Sequence, residues 1–245
     1  MGEAVTEILQ PDRSVGAIPA SALGYPDLRR LMATMAGDEK HDESSTSTLD
    51  VIWVLYDKIL KVTPATLDHP DRDRFLLSKG HGPMAFYAVL AAKGFIGVEH
   101  LPTFGTYGSI LGHHPDRMLV PGAEISSGSL GHGLAMATGM ALGLRARRSP
   151  ARVFCLVGDA ELDEGTNHEA IVYAARAGLG SLTVVAIDNA SSTYGWPGGI
   201  AARFGVEGWA TATVDGRDRE ALELAFLRPA DDRPSAVVSV VEPGA

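Results

Sequence analysis

The sequence predicts an α/β fold, a doubly wound and mostly parallel sheet with helices on both faces, and three observations predict it. Two uninterrupted apolar runs, Val153–Val157 and Leu182–Ile187, each stop at a polar pair, Gly158-Asp159 and Asp188-Asn189. Strands buried on both faces read in this way. Between them, Leu162, His168, Ile171, Val172, Ala175 and Leu179 keep a helical spacing closed by Gly178 and Gly180. A helical crossover of that length makes the two strands parallel neighbours. A third run, Phe75–Leu77, enters the turn Ser78-Lys79-Gly80-His81-Gly82 ahead of another helical segment.

At 245 residues the chain is long enough to bury one large α/β core. A formal net charge of −9 and the lack of a basic cluster argue against a nucleic-acid surface. No apolar run reaches the roughly 18 residues that a membrane span needs. The acidic start MGEAVTEILQPDR has no apolar core with a small-residue cleavage site, so no signal peptide is expected. Cys155 is the one cysteine and falls in a core strand. No internal disulfide can form, and a reducing, cytoplasmic setting is expected.

Taken in order, residues 1–24 lack periodicity and carry Pro11, Gly16, Pro19 and Gly24. They read as an irregular N-terminal arm, wrapped on the domain or a partner or else disordered; the α/β domain is expected over 25–245. Residues 26–35 form a first helix, with proline at an early position. Thr48 ends a polar stretch as an N-cap, and Leu49, Ile52, Trp53 and Tyr56 give a helical stripe. After the 75–77 strand, Met84, Tyr87 and Leu90 mark the next helix. His113 and His114 are adjacent, and on extended backbone their rings point opposite ways, which does not suit one zinc ion. Gly128, Gly131 and Gly133 open a helix rich in Ala, Gly and Met, but no adequate strand leads in, so dinucleotide binding is a poor reading. The helix itself has the composition of one packed tightly against another chain. Beyond a turn at 196–199 come a strand over 210–214 ending at Asp215-Gly216, a helix over 218–227 and a final strand over 235–241.

The chemistry sits at the strand ends. Asp159 and Asn189 lie 30 residues apart, yet a βαβ unit brings both to the edge where open α/β sheets bind ligands. One carboxylate, one amide oxygen and a backbone carbonyl just beyond would give a hard cation three oxygens. Mg2+ suits such a set, because it shares its remaining positions with phosphates and water.

Gly158-Asp159, Glu164-Gly165, His168-Glu169 and Asn189 resemble the thiamine diphosphate motif of transketolases and of the first component of pyruvate dehydrogenase. That motif runs from Gly-Asp-Gly to Asn over about 30 residues. Ser78–Gly82 and His114-Pro115 resemble further transketolase strings, and the likeness spans residues 38–242. It implies Mg2+ ligands at Asp159, Asn189 and the backbone carbonyl of Ser191. It implies cofactor contacts from Gly158, Asp159, Ala160, Glu161, Glu164 and Asn189, and from Gly128, Ser129 and Leu130 near the thiazolium and diphosphate. His81 is implied to face the diphosphate from a helix N-terminus. His41, His81 and His114 are the implied catalytic histidines, moving protons at substrate oxygens.

The chain departs from the family in several places. Ala160 stands for the third glycine and narrows the backbone approach. Ser129 replaces a proline, His132 a common glutamine, and Arg217 the histidine of an Asp-Gly-His string. Asp42 and Glu43 follow His41 where the family has Gly and Pro, and a later loop with another substrate-site histidine has no counterpart before Ala245.

The resemblance thus implies the diphosphate- and Mg2+-binding half of a two-chain enzyme. A second subunit would carry the pyrimidine-binding domain and the activating Glu, in an α2β2 heterotetramer. The leading expectation is transfer of a two-carbon ketol unit from a ketose or ketose phosphate. The string Ala160–Glu164 and the acids after His41 favour an alternative, a dehydrogenase-type component passing a two-carbon acyl unit to a lipoyl or carrier-protein arm. A non-catalytic partner subunit is the third reading, resting on Ala160 and the missing loop.

Overall fold

The computed structural model describes residues 23–35, 46–192, 195–228 and 232–241. His41 and all but the last two residues of the expected arm lie outside them. Five strands form one sheet: β1 (Arg74–Leu77), β2 (Val153–Gly158), β3 (Leu182–Asp188), β4 (Ala210–Asp215) and β5 (Ser235–Val240). Their order is β1-β2-β3-β5-β4, and every pairing is parallel. The fold is α/β, as expected, with β5 inserted between β3 and β4.

Among the described residues seven α-helices flank the sheet: α1 (Tyr25–Ala33), α2 (Leu49–Val54), α3 (Met84–Ala92), α4 (His132–Ala146), α5 (Gly165–Arg176), α6 (Gly199–Val206) and α7 (Arg219–Leu227). α2 runs on into a π-helical turn, Leu55–Ile59. Strand residues alternate between two cores. Phe154, Leu156, Val185 and Ile187 join α1, α2, α3 and α7 on one face. Val153, Cys155, Val157, Val184 and Ala186 join α4, α5 and α6 on the other. All six residues of β2 are buried, which is why its sequence reads as a continuous apolar run. α3 is buried on every side, all nine residues of it. Among the described residues no helix is long and apolar enough to cross a membrane.

One helix differs from its sequence reading. A 3-10 turn, Ala160–Asp163, intervenes after Asp159, and α5 starts only at Gly165. Leu162 is buried from that turn, and the buried row of α5 is Asn167, Ala170, Ile171 and Ala174. His168 instead stacks on Trp196, with ring centroids 5.1 Å apart and planes within 11°. Arg217 also has a structural setting. Its guanidinium donates to the Thr46 carbonyl at 2.7 Å and lies 3.4 Å from Asp50, joining the end of β4 to the start of α2.

Candidate functional site

The C-terminal ends of β1, β2 and β3 lie side by side and deliver Ser78, Asp159 and Asn189 to one edge. Gly158 pairs with Ile187 in the β2–β3 register, and the Asp159 N–H donates to the Ile187 carbonyl at 2.9 Å. The parallel pairing inferred from two apolar runs thus places Asp159 and Asn189 on neighbouring strand ends.

Asp159 is buried and its carboxylate collects four donors. The Ala160 N–H (2.8 Å) and the Ser191 hydroxyl reach one oxygen; the N–H groups of Ser191 (2.7 Å) and Ser192 (3.1 Å) reach the other. The chain makes this loop through Ala190, a non-glycine residue at φ 56°. Left-handed backbone of this kind gathers at functional sites. Asn189 presents the opposite situation: its Oδ1 is buried and has no hydrogen-bond partner. A buried amide oxygen left without a partner costs free energy unless something else satisfies it, and a cation would.

The expected third oxygen is placed differently. The Ser192 N–H points to Asp159, and in a trans peptide the preceding carbonyl points the other way. The Ser191 carbonyl is therefore turned away from the Asp159 carboxylate, and it is the N–H and hydroxyl of Ser191 that face it.

Glu161 is buried with its carboxylate turned inward. Oε1 accepts from the Ser78 hydroxyl and the Gly131 N–H (3.0 Å), and Oε2 from the Gly158 N–H (3.3 Å). Burial raises its pKa, while these hydrogen bonds and the charge of Lys79 act to lower it. Lys79 is 3% exposed, its aliphatic stem running past Gly158 at a distance where a methyl there would make ordinary contact. Burial lowers its pKa to about 8 against the pull of Asp159 and Glu161.

Two glycine loops converge on this edge. A methyl group on Gly80 would overlap the Ser127 side chain, so the Ser78–Gly82 turn runs against the 127–131 loop as closely as backbone allows. Gly128 touches the His114 ring, with a methyl there lying 3.1 Å from Cδ2. His81, half-buried, stands just ahead of α3, so the turns of His81 and His114 both abut the segment Ser127–Gly128. Leu130 is 40% exposed beside them, and Ser129 and Glu164 are also exposed. Ala160 is half-buried in the 3-10 turn. His132, at the start of α4, lies 3.2 Å from the Leu130 carbonyl.

Sequence reasoning missed Ser78, Lys79 and Ser127 as site residues. Ser78 and Lys79 follow an apolar run directly and precede Gly-His-Gly, which was the available signal. Ser127 Oγ is buried and unpartnered like Asn189 Oδ1, a property no sequence pattern reports.

An acid and an amide on adjacent parallel strand ends, with two glycine loops facing them, suit an anion held through a cation. The family model described as "Transketolase, thiamine diphosphate binding domain" matches residues 30–241. The chain belongs to the transketolase family. Among its relatives, "Ferredoxin fas2" of Rhodococcoides fascians is 56% identical over 89% of this chain and 72% of that protein. "6-deoxy-6-sulfo-D-fructose transketolase subunit SqwG" of a Clostridium species is 32% identical over 81% of this chain and 75% of that protein. The solved transketolase of Leishmania mexicana superposes with a TM-score of 0.75 at 25% identity, covering 89% of this chain and 36% of that one. Relative to whole transketolases such as "Transketolase 2" of Xanthobacter flavus, the chain spans about a third of the length, 34%.

The name of the R. fascians relative does not transfer to the transketolase region. Ferredoxin clusters are held by four cysteine thiolates, and this chain has one cysteine, buried in β2. The described transketolase fold therefore has no four-cysteine cluster site.

Proposed function

We propose that this chain is the diphosphate- and Mg2+-binding subunit of a two-chain transketolase that moves a two-carbon ketol unit from a ketose or ketose phosphate donor. The observation that carries this reading is the buried, unpartnered Oδ1 of Asn189 on the strand end next to that of the buried Asp159. These two side chains fit Mg2+; admitting it requires Asp159 to release at least one of its four donors, and the Ser191 hydroxyl is the one that can rotate away. The Ser191 carbonyl would join the set only after the Ser191–Ser192 peptide turned over.

When bound, thiamine diphosphate supplies a nucleophilic thiazolium carbon that attacks a carbonyl and holds the carbon left by C–C cleavage. The protein's own work is binding and proton movement. Gly158, Asp159, Ala160, Glu164 and Asn189 would hold the diphosphate, and Gly128, Ser129 and Leu130 would line the thiazolium. His81 and His114, with His41 outside the described residues, hold and move protons at the substrate hydroxyl and carbonyl oxygens. One α/β domain over 25–245 in a cytoplasmic setting belongs to this reading, in keeping with the lone cysteine.

A second chain would supply the pyrimidine-binding domain and the activating Glu, in an α2β2 assembly. Relatives named as subunits support it. Besides the Clostridium protein, one component of the apulose-4-phosphate transketolase of Actinobacillus succinogenes is 37% identical over 59% of this chain and 52% of that protein. The outward face of α4 supports it too, since Ala135, Met136, Gly139 and Gly143 are exposed there and methyl groups on either glycine would meet nothing.

The test is reconstitution with a chain carrying a pyrimidine-binding domain. Heat of binding with Mg2+ and thiamine diphosphate is expected, followed by turnover of a ketose phosphate with an aldose acceptor. No heat from a folded complex would overturn this in favour of a non-catalytic subunit. A second reading is a dehydrogenase-type component that hands a two-carbon acyl unit to a lipoyl or carrier-protein arm. The Ala160–Glu164 string and the acids Asp42 and Glu43 after His41 favour it. Turnover with a lipoylated carrier and none with the sugars would establish that reading instead.

A further inference from the structure

We propose that Glu161 is a positioning residue whose inward carboxylate clamps the Ser78 turn and the 128–131 loop against the end of β2, fixing the cradle for the diphosphate rather than touching it. This rests on the reading of the sheet edge as a thiamine diphosphate site.

The residue is 2% exposed, and two segments remote in sequence, at Ser78 and Gly131, end on its side chain together with the local Gly158 N–H at the end of β2. Ser78 donates to Glu161 and in turn accepts the Gly133 N–H at 3.1 Å, so the first turn of α4 is tied to β1 through one hydroxyl. The Glu161 backbone is held from below, where the buried Asn167 amide donates to its carbonyl at 2.6 Å. On the far side of Gly131, the Thr166 hydroxyl donates to the Gly131 carbonyl at 2.8 Å. Gly131 is thus gripped at both its N–H and its C=O, in left-handed backbone at φ 83°.

An ionised carboxylate suits this place because it accepts on both oxygens and donates on neither. Its charge is offset by the neighbouring Lys79, which is as deeply buried. A glutamine would set an NH2 group against either the Gly158 N–H or the Gly131 N–H. One cradle amide would then face a donor and drift from its place. Because Gly131 follows Leu130 and Ser78 precedes Lys79-Gly80-His81, the drift would reach both loops that abut Gly128.

The experiment compares wild type, Glu161→Gln and Ser78→Ala in the full chain by hydrogen exchange, and in the two-chain complex by calorimetry with Mg2+ and thiamine diphosphate. In E161Q, amides of residues 78–82 and 128–133 should exchange about tenfold faster while those of 153–157 and β3 keep their rates, and Kd should rise about tenfold. S78A should loosen the same two segments. If E161Q does not fold, S78A alone decides on the same criterion. Unchanged exchange in both loops, equal loosening over the whole chain, or loosened loops with unaltered Kd would each overturn the assignment. A wild-type complex that binds no cofactor would sink the functional reading alone, since the exchange comparison needs no cofactor.

Discussion

Ser191 gives both its backbone N–H, at 2.7 Å, and its hydroxyl to the carboxylate of Asp159, across a gap of 32 positions in the chain. The loop after β3 is therefore fastened to the end of β2 through one buried side chain. Asp159 has a structural duty in addition to the one proposed for it at the metal.

Replacing Asp159 by Ala should show both duties. Three backbone N–H groups lose their acceptor, which should cost about 1–3 kcal/mol of stability in denaturant unfolding of the chain alone. Calorimetry on the two-chain complex should at the same time show Mg2+-dependent thiamine diphosphate binding weakened by about 100-fold or more.

Asn189→Ala should separate the two. The Oδ1 it removes has no protein partner, so unfolding free energy should change by about 0.5 kcal/mol or less, or even rise. Cofactor affinity in Mg2+ should nevertheless fall by about tenfold or more. A large stability loss with affinity intact would mean that the amide serves packing.

Lys79 predicts a pH effect with a definite sign. The unfolded chain keeps this proton up to about 10.5, while burial lets the folded chain keep it only to about 8. Between those values the unfolded state binds more protons, so the Lys79 contribution makes stability rise with pH; below about 8 its burial penalty is present in full. Wild type compared with Lys79→Met, each unfolded in denaturant at several pH values, should differ by on the order of 2 kcal/mol in Met's favour near neutrality. That difference should shrink as pH climbs through the window. A constant difference would show that Lys79 does not titrate there.

The outer face of α4 offers a test with opposite signs. Gly139→Ala adds a methyl that meets nothing and removes a mid-helix glycine, so the lone chain should gain about 1 kcal/mol in thermal unfolding. Gly139→Leu should leave the lone chain folded and stop assembly with the second subunit, as read by gel filtration of the mixture. Assembly that survives Leu would move the interface elsewhere.

Much of this arrangement could be read from residue order. The runs at 153–157 and 182–187 announce doubly buried strands, and their polar ends put Asp159 and Asn189 on one edge because parallel pairing leaves no other choice. The start of α5 is harder to read. A 3-10 turn and a continuing helix share short-range spacing, so the helical pattern takes in Leu162 and His168, whereas the buried row begins at Asn167. That same turn swings Glu161 under the site instead of toward it. The place of β5 between β3 and β4 depends on packing of whole layers, for which 235–241 carries no local mark. The orientation of the Ser191 carbonyl depends on a single peptide plane, and side-chain chemistry is silent on that.

The complete enclosure of α3 has a consequence for where the chain can tolerate change. With Met84–Ala92 walled in on all sides, that helix cannot tilt or slide without dismantling a whole layer, and the imidazole at its head inherits a rigid footing. Elsewhere, Tyr107, Met118 and Leu119 stand out in solvent on irregular backbone and are bound by no such constraint. Substitutions on exposed loops of that kind can alter local shape cheaply and leave the fold intact, whereas substitutions in the walled-in helix cannot.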